Sequence, residues 1–235
     1  MVIVMFLAHL VGDYILQWDA LARWKSRELK GVLAHGGVVF LVTLAFSLAF
    51  NSGWWPWALA IGLTHTAIDA LWLGNRLWRP GMGLPPVIRL IVDQGLHLAI
   101  IVAALAASGY LAVPSPADDL LGMVRSNRWW VYALGYAFIT MPAWIAVEFG
   151  VYGLVRASSD GFSSSLNKYV GIAERGLITT CVVLGQFALV PLVALPRLIF
   201  DAPQAVAGRR VALYVVELLT SLTLAVAVGL GLRLL

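Results

Sequence analysis

Apolar residues run along this chain in stretches of about twenty, divided by short connections rich in charge, glycine or proline. Twenty residues at 1.5 Å rise make a helix that crosses a hydrocarbon core of about 30 Å. Seven such stretches are expected, at 1–17, 31–50, 54–73, 87–111, 129–155, 169–200 and 211–232, with bounds good to a few residues. The first is short. Between it and the second, "WDALARWKSRELK" (18–30) sets Trp18, Leu21, Ala22, Lys25 and Leu29 on one helical stripe. That pattern predicts a helix lying in the membrane interface, its basic face towards headgroups and Lys25 snorkelling outward.

The connections support the same reading. "NSGWWPW" is an aromatic turn of the kind found at membrane interfaces. "GNRLWRPGMGLPP" and "PSPADDLLGMVRSN" interrupt the helical pattern, and "RASSDGFSSSLNK" reads as a Ser-rich loop. Pro142 predicts a kink in the fifth stretch; Pro191 and Pro196 predict a bent or broken end to the sixth. No polar stretch is large enough to fold alone. The expected fold is all-α: a polytopic membrane helix bundle of about six to seven spans plus one interfacial helix, in a single membrane-embedded domain, 1–235.

Composition sharpens this. Of 235 residues, 61% are hydrophobic and 12% charged, against roughly 25% charged in soluble domains. The net charge of +4 does not point to nucleic acid, because basic residues of membrane proteins mark loops facing anionic lipid. The lone Cys181 lies in an apolar run and reads as a small hydrophobe. The opening "MVIVMFLAHLVGDYILQW" has no basic leader and carries His9 and Asp13 mid-run, so it is expected to be a retained first helix. Arg23, Lys25, Arg27 and Lys30, then Arg76, Arg79 and Arg89, place the first and third connections in the cytoplasm and the N-terminus outside. Arg197, Arg209 and Arg210 fit that orientation only if the sixth helix is broken.

Four histidines, His9, His35, His65 and His97, fall one in each of the first four stretches. Three have an aspartate four positions away: His9 with Asp13, His65 with Asp69, and Asp93 with His97. Residues i and i+4 share a helix face. The order is His-then-Asp in stretches one and three and Asp-then-His in stretch four. Up-and-down topology therefore puts all three aspartates nearer one membrane face, with His35 at a similar depth. An ionised aspartate at mid-membrane costs about 2.5–3.5 kcal/mol even on a lenient scale, so these groups must face one another, water or a cation.

A divalent metal neutralises the carboxylates and accepts neutral imidazoles, and a mixed His/Asp shell favours zinc first, with manganese or iron as other fits. One or two ions are expected, held by His9, Asp13, His35, His65, Asp69, Asp93 and His97, some of these orienting the others. The plainer reading of any one pair is a structural hydrogen bond. Glu174 and Arg175 are candidates for catalysis, or alternatively for two separate interhelical salt bridges, with Glu148 as a possible partner of Arg175. Glu217 has no evident companion, and Lys25 has a second reading as a contact for an anionic substrate.

At these residues the chain resembles a known family. "AHLVGDYILQ", Lys25, "LAHG", "THTAIDALW", "VDQGLHL" and "GIAERGLI…GQF" are similar to a bacterial membrane-protein family catalogued as domain of unknown function 3307. The chain departs from that pattern after the sixth stretch, where "LPRLIF" replaces a common lysine. "THTAIDALWLGN" also resembles, more weakly, a helix of membrane-bound metal-dependent hydrolases. The resemblance implies a bacterial inner (cytoplasmic) membrane location.

The leading expectation is a membrane-embedded metal-dependent hydrolase acting on a lipid or lipid-linked ester or phosphoester near the cytoplasmic leaflet. A metal-bound water would attack, Glu174 or an aspartate would act as general base, and Arg175 would steady an anionic intermediate. Intramembrane His/Asp sets also serve proton- or metal-ion-coupled transporters and channels. A structural protein with a closed structural metal is the third possibility.

Overall fold

A computed structural model of the chain describes residues 1–78, 85–113, 116–152, 165–208 and 211–235. Most of the Ser-rich loop, the core of the "RPGMGL" break, and Arg79, Arg209 and Arg210 lie outside the described residues. The described residues are overwhelmingly helical, as expected. They cluster into two compact units, Met1–Leu134 and Gly135–Leu235.

Unit 1 begins with α1 (Val2–Leu10), which widens into a π-helical turn over Val11–Ile15. After an extended Trp18 the chain turns by 87° into the short α2 (Asp19–Lys25). Helices α3 (Leu29–Leu48) and α4 (Trp55–Trp78) form an antiparallel hairpin through a 3₁₀ turn, Ser52–Trp54. Their axes approach closely because small residues face larger ones in both directions. A Cβ on Gly36 would stand 1.9 Å from Thr66 Oγ1, and one on Gly62 would stand 2.7 Å from Phe40 Cβ. Helix α5 (Pro86–Ala107) starts on proline, and Gly109 at φ 77° closes it: Gly109 N–H donates to Ala106 O and Tyr110 N–H to Leu105 O. Helices α6 (Ala117–Ser126) and α7 (Arg128–Ile139) follow.

The apolar core of unit 1 gathers at one end of these helices: Val2, Val4, Met5, Trp54, Ile61, Ile101, Ala104 and Leu105. The buried histidines and aspartates lie at other levels of the same helices, while the buried hydroxyls of Thr43 and Ser47 are towards the same end. His97 is eight residues, about 12 Å of helix, from Leu105.

In unit 2, α8 (Met141–Val147) continues α7 after a break at Thr140, the two inclined by 43°. Pro142 sits in the first turn of α8, where a missing N–H costs nothing, so the expected kink falls just before it. A π turn, Glu148–Tyr152, follows. The expected sixth span is two helices, α9 (Ser165–Val183) and α10 (Val190–Ala207), and α11 (Val211–Arg233) ends the chain. The break comes from glycine, not proline. Gly185 at φ 75° donates to Val182 O while Gln186 N–H donates to Cys181 O, the same closing motif as in α5.

Among the described residues four segments are long and apolar enough to cross a membrane: Leu29–Leu48, Val87–Ala107, Phe187–Ala207 and Val211–Arg233. The count reaches six if each bent pair, α1 with α2 and α7 with α8, is one span. The expected third span forms α4 but is not among these, because His65, Asp69, Asn75 and Arg76 dilute its hydrocarbon.

Candidate metal centre

Five elements of unit 1 deliver the site: α1 carries His9, the π turn Asp13, α3 His35, α4 His65 and Asp69, and α5 Asp93, Gln94 and His97. All four histidines are almost fully buried, with Asp13 and Asp69 beside them. The spacing argument put each His/Asp pair on one helix face, and so they are. Within a helix, however, the pairs stand apart, at 3.9 Å for His9–Asp13, 3.5 Å for His65–Asp69 and 3.8 Å for Asp93–His97. The tighter partners come from other helices. The π turn, closed by Leu16 N–H on Val11 O, sets Asp13 Oδ1 3.0 Å from His35 Nε2, while Asp13 Oδ2 stands 3.9 Å from His9.

At the centre, His35 Nε2 and His65 Nε2 approach to 3.2 Å. Asp13 Oδ1 lies 3.0 Å from His35 Nε2 and 3.6 Å from His65 Nε2, making one triangle. Asp69 Oδ2, at 3.6 and 3.5 Å from the same two nitrogens, makes a second triangle on the shared edge. A tetrahedral ion with ligands at roughly 2.0–2.2 Å demands ligand separations of about 3.3–3.6 Å. The Asp69 triangle, with edges of 3.2, 3.5 and 3.6 Å, comes close to one face of such a shell, and the Asp13 triangle, with edges of 3.0, 3.2 and 3.6 Å, is slightly smaller. Two imidazole nitrogens facing each other need a proton or a cation between them, and a cation serves both lone pairs at once.

Donor atoms within 4.8 Å of one another form two groups that could hold a metal ion: Asp13–His35–His65 and His65–Asp69–His97. They share His65. Because a neutral imidazole offers a single lone pair, His65 can serve an ion in either group but not one in each.

His9 and Asp93 stand outside these groups. His9 Nε2 donates to Gln94 Oε1 at 3.1 Å, which commits that nitrogen to a proton. Gln94 Nε2 donates to Asp13 Oδ2 and Asp93 Oδ2, each at 3.1 Å. This glutamine links α5 to Asp13 and orients a carboxylate of the centre. Sequence reasoning missed it: a neutral amide carries no burial cost large enough to stand out, and only its place in "VDQGLHL" marked it. Neither ring nitrogen of His97 nor Oδ1 of Asp93 has a hydrogen-bond partner among the described residues. The His97 ring stacks on His65, centroids 4.0 Å apart.

Lys25 departs from its expected outward course. Its Nζ reaches inward to Asp69 Oδ2 at 3.0 Å and Asp13 Oδ1 at 3.8 Å. Gly31 makes this possible, since a Cβ there would lie 2.5 Å from Lys25 N. Backbone meets backbone, and α2 is seated with Lys25 over the cluster.

Glu174 and Arg175 find their partners within unit 2. Glu174 pairs with Arg197 at 3.2 Å, and Arg197 also pairs with Glu217, supplying the companion that Glu217 lacked in sequence. Arg175 donates to Ile139 O at 2.9 Å, Thr140 O at 3.3 Å and Ser221 Oγ at 3.3 Å. It thus caps carbonyls freed at the α7–α8 break. Arg197, standing where the resembled family often has lysine, is the hub. Substituting Arg197 with Met leaves Glu174 buried without its counter-ion and is expected to destabilise the chain by roughly 3–5 kcal/mol. Thermal unfolding in detergent should show the loss and a partial recovery on adding Glu174→Gln. An unchanged melting temperature would mean that the network carries little of the stability of unit 2.

Residues 1–116 match the model of a family described as protein of unknown function (DUF3307). The match contains every residue of the His/Asp centre together with Lys25 and Gln94, and stops before Glu174, Arg175 and Arg197. No curated protein and no solved structure matches the chain.

Proposed function

We propose that unit 1 is a membrane-embedded, metal-dependent hydrolase of a lipid or lipid-linked ester or phosphoester. The observation that carries this reading is the triangular face of one aspartate and the two histidines His35 and His65. Three protein ligands with one vertex left for water is the arrangement of catalytic zinc, whereas structural sites close all four positions. Zinc suits two imidazoles and a carboxylate, and manganese or iron would also fit. A bound ion would lower the pKa of its water towards about 7 and so supply a nucleophile.

Asp93 then takes the role of general base. Its Oδ2 is held by Gln94 while Oδ1 is uncommitted, and it stands beside the ligands rather than among them. Glu174 and Arg175, expected in these roles, are engaged inside unit 2. The apolar end of unit 1 favours a hydrolase over a transport pathway, because an ion crossing this unit would meet Met5 and Leu105, both fully buried in hydrocarbon. An enzyme pocket needs only one entrance.

The test joins metal content to turnover. Protein purified in detergent should retain close to one ion per chain by plasma mass spectrometry and should convert a component of a bacterial lipid extract. Chelation should stop conversion and zinc restore it. Asp93→Asn should keep the ion while lowering turnover by roughly 10²–10⁴-fold, the usual worth of a general base. Metal-loaded protein that leaves every lipid unchanged, yet carries zinc into sealed vesicles, would sink the hydrolase and favour the transporter.

A further inference from the structure

We infer that this centre captures its substrate by a phosphate oxyanion, that Lys25 holds that oxyanion, and that capture follows ion binding. The inference rests on the metal reading above and narrows its substrate class.

Lys25 stands at an edge of the centre that is open. Its side chain is 21% exposed and that of Asp93 22%, while those of Asp13, His35, His65 and Asp69 are at most 7% exposed. It is carried by α2, which turns 87° from α1 and displays Trp18 and Trp24, at 58% and 41% exposure, beside Arg23 and Arg27. Tryptophan and basic residues on a short helix set across the bundle suit the headgroup level of a bilayer. The Gly31 contact fixes the backbone of Lys25 there, so its ammonium swings on four methylenes between the carboxylates and the opening.

Charge sets the order of events. Without an ion, three carboxyl groups, Asp13, Asp69 and Asp93, face the single ammonium of Lys25. An arriving anion is repelled, and Lys25 is held by Asp69 and Asp13. A divalent ion raises the site's charge by two and draws one of the same aspartate oxygens to itself. Lys25 then shares its carboxylate partners with a second cation close by, in surroundings where water screens poorly. Two cations a few ångströms apart clamp an oxyanion. Lysine and a divalent ion do this for phosphoryl groups, stabilising the charge that grows on their oxygens. A neutral ester would leave the ammonium without a partner.

The experiment uses the full chain in detergent, stripped with chelator or loaded with zinc. Equilibrium dialysis measures zinc, and calorimetric titration measures binding of inorganic phosphate and, separately, dihexanoyl phosphatidate. Zinc-loaded wild type should bind phosphate at least about tenfold more tightly than the stripped protein, a difference of about 1.4 kcal/mol. Lys25→Met should retain zinc, several-fold more tightly because a competing cation is gone, and should lose at least about tenfold in phosphate affinity. Lys25→Arg should keep most of it. Phosphatidate binding well above phosphate identifies a lipid headgroup as the source, and equal binding identifies free phosphate; either supports the inference. Phosphate affinity that is the same with and without zinc, or the same in Lys25→Met and wild type, would overturn it while the metal reading stands. Loss of zinc from Lys25→Met but not from Lys25→Arg would also overturn it, making Lys25 part of the ion's own support. Wild type that retains no zinc would end both.

Discussion

His65→Ala is expected to strip the ion from unit 1 and to erase the difference in melting temperature between metal-loaded and chelated protein. His65 belongs to both groups of donors, lies on the edge shared by the two triangles and stacks on His97. Asp69 can stand in for Asp13, but His65 supplies the nitrogen common to both groups of donors as well as to both triangles. At a free ion concentration a thousand times the dissociation constant, binding contributes about 4 kcal/mol of stability, and that contribution goes with the ion. The buried ring also leaves a cavity, so the chelated variant should melt below chelated wild type. His9→Ala is the contrast. With its Nε2 turned to Gln94, His9 positions Asp13 from behind, and its loss should weaken retention without abolishing it. Equal metal content in His65→Ala and His9→Ala would remove His65 from the centre of the site.

A single added methyl at Gly36 should damage both packing and metal binding. The new Cβ would meet Thr66 Oγ1 at 1.9 Å, and turning that hydroxyl aside leaves Thr66 Cβ at 3.0 Å. No rotamer relieves both contacts, so α3 and α4 must part. Overpacking of this kind costs about 1–3 kcal/mol. Because His35 precedes Gly36, the parting falls on the 3.2 Å approach of His35 to His65. Gly36→Ala should therefore lower both melting temperature and zinc affinity, and Thr66→Gly should restore part of each. Gly37→Ala, whose Cβ meets nothing within 4 Å, is the control. It should be neutral or slightly stabilising, as alanine is the better helix former. Similar losses from both substitutions would mean that the α3–α4 approach is not the tight one.

The sequence made the centre visible because hydrocarbon makes polar residues expensive. A histidine or aspartate in an oily helix stands out against its neighbours, and the reversed order of the third pair, in the fourth stretch, placed the aspartates at one level. What connects those residues was less legible. Nothing in "VGDYI" announces a π turn, yet that turn aims Asp13 at His35 rather than His9. Gln94 is neutral and carries no comparable signal. Lys25 lies on an interfacial stripe that predicts an outward course, and its inward course depends on Gly31, six positions further on. In the later half, Pro191 and Pro196 drew the eye to the wrong place for a break that Gly185 makes. Glu217 seemed isolated because its partner, Arg197, is twenty residues away and comes close only when α10 folds back on α11.

The apolar end of unit 1 has an electrical meaning as well. Each elementary charge moved across a bilayer yields or costs about 2.3 kcal/mol per 100 mV, so an energised membrane drives protons along any continuous file of titratable groups. Histidines and aspartates in mutual contact are the material of such a file. Here the file of titratable groups gives way to Val4, Met5, Ile101 and Leu105, and the buried polar side chains towards that end of α3 are the hydroxyls of Thr43 and Ser47. On the reading proposed above, that layer would let a charged site sit inside a membrane without discharging it.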